Sequence, residues 1–380
     1  MRLNLGLTES EEMLKKAALD FLKRDAPKET IEKLQDTDTG YTDELWRKVV
    51  SMGWLGIIIP EQYGGTGNSL TSAGVLFEAL GTGPLPGPYF SSGILGSLIV
   101  MEAGTEQQKQ HILPALAEGE QVLTLALTEP GYSWESAAVQ TGARSKNGDY
   151  VLDGVKLFTM DAKAATHFVV AARTRKTADP DKGISLFLVD KNLEGVSVRQ
   201  IPGFFSGRSF EVKLDSVKVP QSAMLGEKGK GWPVLQQAIA KAIPVLCAYK
   251  VGGCQAVFEM AIEYSRTRVQ FGQAIGRFQR VQDLILEMVN HLDAARWTTY
   301  EALWKLDTER PAEESVHLAK AVSSEAYWEA CTLAHRVFSG ISYSKEHPVT
   351  FHTRASRSLY SYLGEPSYHR WQLGQLLTGY

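Results

Sequence analysis

The chain has 380 residues, 44% of them apolar and 22% charged, enough to bury more than one sizeable core. A formal net charge of −3 argues against a nucleic-acid partner, which requires a concentrated basic face. Ordinary glycine and proline content, 34 and 15 residues, argues against disorder.

Three cysteines, Cys247, Cys254 and Cys331, show no CxxC or metal-ligand spacing and read as reduced, buried thiols. The eight histidines are scattered, so no metal site is expected. The opening "MRLNLGLTESEEMLKK" lacks the basic start and apolar run of a secretory leader. No run reaches the roughly 18 apolar residues of a membrane span. The expectation is a soluble, cytoplasmic protein with no membrane partner.

In chain order, residues 1–120 read as a helical domain. Thr8 and Glu11 form a capping box, and Met13, Leu14, Ala17, Ala18, Phe21 and Leu22 follow helical spacing. "GWLGIIIPEQYGGTGNS" (53–69) breaks the pattern as a loop. Helix resumes from Leu70 to Leu80 and again in "TEQQKQHILPALAEG" (105–119). Residues 121–227 read as an antiparallel β domain. Asn147-Gly148 marks a type I′ hairpin turn, and "HFVVAART", "ISLFLVD", "VSVRQI" and "EVKLDSVKVP" are short β-branched runs. Residues 228–380 read as a C-terminal helical bundle of four-helix type. Leu284, Ile285, Met288 and Leu292 lie 3, 4, 7 and 11 positions after Val281, on one apolar face. Gly340 and Pro348 are expected to break helix, and Ser356 to Tyr362 to form another.

"RVQFGQAIGRFQ" (268–279) interrupts the helical pattern with two glycines and an arginine. Taken singly, Arg268 reads as a solvated helix charge, Phe271 and Phe278 as core, and Thr128 to Gly131 as a turn into a strand. Five motifs in order change that reading. "IIIPEQYGGTG", "LALTEPGYSWE" (125–135), "LDGVKLFTMDAKAATHFVVAART", "YSRTRVQFGQAIGRFQRVQ" and "FSGISYSKEHP" (338–348) together resemble the acyl-CoA dehydrogenase family of FAD flavoproteins over nearly the whole chain.

The resemblance implies an α+β multidomain fold, FAD as cofactor, an acyl-CoA substrate and an electron-transfer flavoprotein as acceptor. It implies a homo-oligomer, or a heteromer with a second acyl-CoA dehydrogenase subunit. It places Leu127, Thr128, Ser133, Phe158, Thr159, Arg268, Phe271, Ile275, Gln279 and Gly340 at the cofactor. The stretch at 268–279 would reach a neighbouring subunit's FAD: Arg268 against the pyrophosphate, Phe271 beside the cofactor, Gln279 at the adenine. Gly272 is expected where a Cβ would not fit.

The family's reaction removes a Cα proton to a carboxylate and a Cβ hydride to the flavin. Here the sequence departs from the pattern. The two usual positions of the base hold Leu363 and Ala242. Trp134 and Glu135 replace a small residue and its follower, Met160 replaces a flavin-facing threonine, and Arg336, Ser339 and Ser342 replace a glutamine and two glycines. One expectation is a subunit without the usual catalytic glutamate in a heteromeric dehydrogenase. Another is a displaced base, with Glu365, Glu135 and Asp161 as candidates. The remaining alternatives are a flavin-dependent monooxygenase on the same scaffold and a non-catalytic structural subunit.

Overall fold

A computed structural model describes residues 6–203 and 208–378. The outermost residues of the expected terminal domains, 1–5 and 379–380, lie outside that range. Helices come first: α1 (Glu9–Arg24), α2 (Lys28–Gln35), α3 (Asp43–Ser51), α4 (Leu70–Gly81), α5 (Ser97–Ala103) and α6 (Glu106–Ala117). The sheet follows, with β1 (Leu123–Ala126), β2 (Gly142–Lys146), β3 (Asp149–Met160), β4 (His167–Arg173), β5 (Ile184–Asp190), β6 (Val196–Gln200), β7 (Ser209–Val219) and β8 (Met224–Leu225). Helix returns as α7 (Gly231–Thr267), then a hairpin of β9 (Val269–Gln270) and β10 (Gln273–Ala274). The chain ends with α8 (Gln279–Asp307), α9 (Glu313–Phe338), α10 (Pro348–Tyr360) and α11 (Pro366–Thr378).

Local chemistry sets the boundaries. The capping box at Thr8 forms as expected: its Oγ1 accepts from Glu11 N at 3.3 Å, and its own N–H donates to the Glu11 carboxylate at 2.8 Å. Asn147 and Gly148 both take positive φ, 55° and 93°, as the β2–β3 turn requires. Pro348 begins a helix where it was expected to break one. It occupies the first turn of α10, where a missing N–H costs nothing, and His347 Nδ1 accepts from Val349 N at 3.3 Å. The helix expected at 356–362 is therefore the end of a longer one. No uninterrupted run of 18 apolar residues occurs, as expected, since Lys241 and Lys250 interrupt α7. α7 is long and apolar enough to cross a membrane by length and composition alone, although 61% of that stretch is buried within the protein.

In space the chain forms two compact units that cut across sequence order. One comprises residues 1–35, 69–85 and 243–380; the other comprises 36–68 and 86–242. The first is helical. Its core gathers Cys254, Met288, Leu292, Ala330 and Leu333 from α7, α8 and α9. α4 and α7 meet backbone to backbone, because a Cβ on Gly252 would stand 1.8 Å from the Glu78 carbonyl oxygen. The expected face of α8 is real: Leu284, Met288 and Leu292 are buried, and Val281 and Ile285 pack beside them.

The second unit is built on an eight-stranded sheet in the order β6-β7-β3-β2-β4-β5-β8, with β1 also on β4. It is mixed, not antiparallel as expected. β1 runs parallel to β4, pairing Leu123–Ala126 with His167–Val170, and β2 resumes parallel pairing at Gly142–Arg173. β1 and β2 thus lie end to end along one edge of β4, and residues 127–141 make an excursion between them. The β-branched runs specified strands correctly; hairpin signals alone hide a return to the same edge in the same direction.

That excursion is tied down by a buried ion pair. Lys156, on β3 and fully buried, donates through Nζ to Glu129 Oε1 at 2.7 Å, to Ala171 O at 2.7 Å and to Leu127 O at 3.2 Å. Glu129 accepts in addition from Gln140 N at 2.8 Å and Thr141 N at 3.0 Å. Burial alone would raise the Glu129 carboxyl, but the Lys156 charge and these donors outweigh it and hold it below the usual range. Burial lowers Lys156 to about 8, a shift that Glu129 limits. Both groups are charged at neutral pH. Glu129→Leu should therefore cost about 3–5 kcal/mol in urea unfolding, because Lys156 is left buried and unpaired. Adding Lys156→Met should recover most of that loss; a double variant no more stable than the single one would contradict the assignment.

Candidate cofactor surfaces and active-site loop

In the sheet unit the pair brings two candidate segments together. Leu157 N donates to Thr128 O at 2.8 Å, which ties residues 127–129 to the end of β3. Leu127 and Thr128 are buried. Ser133 is half-buried and its Oγ accepts from Glu135 N at 3.2 Å. Phe158 is 44% exposed with φ +54°, an uncommon backbone for an aromatic residue. The next residue, Thr159, is 2% exposed, and its hydroxyl is buried without a hydrogen-bond partner among the described residues. Any contact between Thr159 Oγ1 and a ligand therefore requires a rearrangement.

Asp161, a candidate base, is tied up. Its carboxylate accepts from Arg208 Nε at 3.0 Å and from Ser91 Oγ at 2.8 Å, and its N–H donates to Arg208 O at 3.0 Å. Both carboxylate oxygens of Asp161 are thus occupied by partners within the fold. Glu135, another candidate, is exposed. Ala242, at a position where the resemblance led one to expect a base, is fully buried.

In the helical unit, residues 268–279 form a tight hairpin between α7 and α8. Phe271 and Gly272 supply the two positive φ values of its turn, 51° and 79°. Nothing lies within 4 Å of a Cβ built on Gly272. Within the chain, then, the glycine answers to backbone conformation, and the expected close approach is not made by the protein's own atoms. Phe271 is 92% exposed and touches Phe278 edge-on, with ring centroids 6.1 Å apart. Arg268 and Gln279 are exposed, and their side chains have no hydrogen bond or ion pair among the described residues. Ile275 instead packs against the helical core. Gly340 is exposed, two residues after Phe338, whose ring sits 5.0 Å from that of Tyr264 near the end of α7. A guanidinium and an amide without side-chain partners among the described residues, with an exposed aromatic ring on the same hairpin, suit an anionic, ring-bearing ligand such as a dinucleotide.

The loop after α10 carries Leu363, 3% exposed with φ +59°, and the half-buried Glu365. Its carbonyls are held from inside. Lys320 Nζ donates to Gly364 O at 2.5 Å and Tyr360 O at 3.3 Å. His369 Nε2 lies 2.9 Å from Leu363 O, and its Nδ1 lies 2.8 Å from His317 Nδ1. Those contacts fix the tautomers: His369 donates through Nε2, so its Nδ1 accepts from His317 Nδ1–H. Burial, with Lys320 nearby, depresses His369 to about 2, and burial depresses His317 to about 4.

A second buried amine stands beside the first. Lys250 donates to Ser324 Oγ at 2.7 Å, and Lys320 donates to the same atom at 3.2 Å. Both lysines are essentially fully buried. Burial lowers Lys250 to about 8 and, with the Lys250 charge, drives Lys320 well below its usual value. Among the described residues no group of three or more His, Cys, Asp or Glu side chains could hold a metal ion.

Comparison with known proteins gives the same assignment along the whole chain. The models for the acyl-CoA dehydrogenase N-terminal, middle and C-terminal domains match residues 8–120, 124–216 and 229–377. The chain belongs to the acyl-CoA dehydrogenase family. Among relatives of this family, the 3-(aryl)acrylate reductase of Clostridium sporogenes (strain ATCC 15579) is 30% identical over 90% of this chain and 91% of its own. The caffeyl-CoA reductase-Etf complex subunit CarC of Acetobacterium woodii is 29% identical over the same shares, 90% and 91%. The structure of butyryl-CoA dehydrogenase from Megasphaera elsdenii superposes with a TM-score of 0.91 at 27% identity, covering 99% of this chain and 100% of that one. Acyl-CoA dehydrogenases are FAD-dependent oxidoreductases acting on CH–CH bonds, and the N-terminal helical, middle β and C-terminal helical order is theirs.

The buried lysines escaped the motif reading, although spacing marks them. Lys250 follows Cys247 by three residues and precedes Cys254 by four. Lys320 follows Val316 by four and precedes Ser323 by three. Each therefore occupies a core position on its helix. Because the folded pKa of Lys250 lies below the unfolded value of about 10.4, the unfolded chain holds more protons between pH 8 and 10. The contribution of Lys250 to stability should thus rise with pH across that window and be least favourable below pH 8. Lys250→Met should raise stability at pH 7 by about 1–3 kcal/mol and flatten the slope of urea midpoint against pH from 7.5 to 9.5. A lower midpoint at pH 7 with an unchanged slope would show that the amine is stabilising where it sits.

Proposed function

We propose that this chain serves FAD-dependent α,β-dehydrogenation of an acyl-CoA thioester as the subunit of a heteromeric enzyme that lacks the usual glutamate. The observation that carries the proposal is an asymmetry. Arg268 and Gln279 are exposed with no hydrogen bond or ion pair among the described residues, and Phe271 is 92% exposed, while the two positions at which the family resemblance expects a base hold buried hydrocarbon, Leu363 and Ala242. The hairpin is suited to hold a neighbouring chain's FAD, with Arg268 at its phosphates, Phe271 along a ring and Gln279 at a polar edge. When bound, FAD supplies the hydride acceptor. The protein's part is to orient the acyl group, keep water out and take the Cα proton, and in this reading the proton acceptor belongs to the other subunit.

Several further assignments go with this reading. An electron-transfer flavoprotein is the natural acceptor, since a relative of comparable similarity is named as part of such a complex. Three cysteines, all buried thiols, favour the cytoplasm. Thr128, Ser133 and Phe158 would serve a flavin on the chain's own sheet unit, Thr159 doing so only through its backbone as it now stands.

Glu365 supports a second reading, in which the chain is catalytic alone. It is half-buried, two residues from Leu363, and its charge is felt by Lys320.

Purification alone and with the product of a neighbouring dehydrogenase gene separates the two, read by visible spectrum, flavin stoichiometry and acyl-CoA turnover. The subunit reading expects turnover only in the mixture, and Arg268→Ala should weaken FAD retention about tenfold or more. Turnover by this chain alone, abolished by Glu365→Gln, would establish the second reading instead.

A further inference from the structure

Tyr89, in the sheet unit, carries a polar atom for which the fold provides no partner. The residue is 5% exposed, and its hydroxyl is buried without a hydrogen bond among the described residues. Its ring is fixed: it stacks on Trp46 with centroids 5.7 Å apart, and Trp46 meets Tyr41 at 4.9 Å. Trp46 satisfies its own Nε1–H on Gly119 O at 3.0 Å. The half-buried Tyr41 has no side-chain hydrogen bond among the described residues. Arg208 stands in the same neighbourhood. Its charge acts on the Tyr89 phenol, which burial keeps protonated above the usual range. Room is made for both side chains. A Cβ on Gly40 would lie 2.9 Å from Arg208 Cδ and Nε, and one on Gly87 would lie 2.7 Å from the Tyr89 ring. Both glycines hold positive φ, 77° and 127°.

Arg208 itself is only partly used. Its Nε serves Asp161, whose other oxygen takes Ser91 Oγ, and the guanidinium makes no further hydrogen bond among the described residues. With Asp161 filled, what is left over is all donor: the two amino groups of Arg208 and two phenols. Such a set calls for an oxygen acceptor, and most strongly for an anionic one. The side chain of Arg208 is 17% exposed and Tyr41 is half-buried, so the set opens outward on that side. Asp161 follows Phe158 by three residues, at most about 11 Å of chain, which is the reach of a short acyl group.

We propose that the acyl group served by this chain ends in a carboxylate, received by Arg208 and by the phenols of Tyr89 and Tyr41. The inference rests on the acyl-CoA reading above and adds the class of substrate; it is independent of which subunit holds the base. A methyl-ended chain would leave the buried Tyr89 hydroxyl unpaired, whereas a carboxylate satisfies it.

The test uses the flavin-loaded protein, with its partner subunit if loading requires one and with no electron acceptor present. Calorimetric titration compares adipyl-CoA with hexanoyl-CoA, and succinyl-CoA with butyryl-CoA. The carboxylate-ended member of at least one pair should bind about tenfold tighter or more. Tyr89→Phe should cut that preference about threefold or more, yet leave the urea midpoint at or above wild type, because the hydroxyl it removes has no partner in the fold. Arg208→Met, combined with Asp161→Asn so that no carboxylate is stranded, should abolish the preference and leave the affinity for the methyl-ended ester unchanged. Equal affinity within both pairs, or a preference undiminished in either variant, would overturn the inference and leave the acyl-CoA reading standing. Failure of every ester to bind in any combination would remove that reading as well.

Discussion

The buried contact between Lys156 and Glu129 organises the sheet unit. Sheet pairing stops at Ala126 and resumes at Gly142, so nothing in the ladder fixes the residues between. One ammonium group, with no water to satisfy it, gathers a carboxylate and two carbonyls, and the carboxylate gathers two amides in turn. Each group meets its hydrogen-bonding need only if the excursion folds back over the end of β3. Thr128, Tyr132 and Phe158 are presented together for that reason. Tyr132 and Phe158, with φ of 45° and 54° and ring centroids 5.4 Å apart, sit beside that anchor, where unfolding the excursion would cost Lys156 its carboxylate partner.

Much of this was legible in the sequence. Capping residues, the Asn147-Gly148 turn and the apolar face of α8 are short-range signals, and short-range geometry decides them. The ordered motifs placed the family, and the hairpin at 268–279 resolved an interruption that helical periodicity could only flag. What escaped had non-local causes. Glu129 read as part of a turn because its partner lies 27 residues away. Asp161 remained open as a base because Arg208 and Ser91, 47 and 70 residues distant, are joined to it only by the fold. Pro348 was misread since proline both ends and begins helices, and only the cap distinguishes the two.

Lys250 and Lys320 show a different kind of constraint. A lysine at a core position looks like noise in a hydropathy profile, yet here two of them converge on Ser324. The cost of keeping amines from water is partly offset by the backbone carbonyls that Lys320 receives from the loop carrying Leu363. The loop that carries Leu363 is therefore braced from within by a buried amine, itself set beside a second one.

The end-to-end arrangement of β1 and β2 has an evolutionary corollary. Since both strands run in the same direction along one edge of β4, the segment joining them can grow, shrink or be exchanged without shifting the register of either. A lineage that conserved the lysine and glutamate while rewriting residues 130 to 138 could explore new ligand contacts almost independently of folding. Diversification of specificity within this architecture would then concentrate in a stretch of fewer than ten residues.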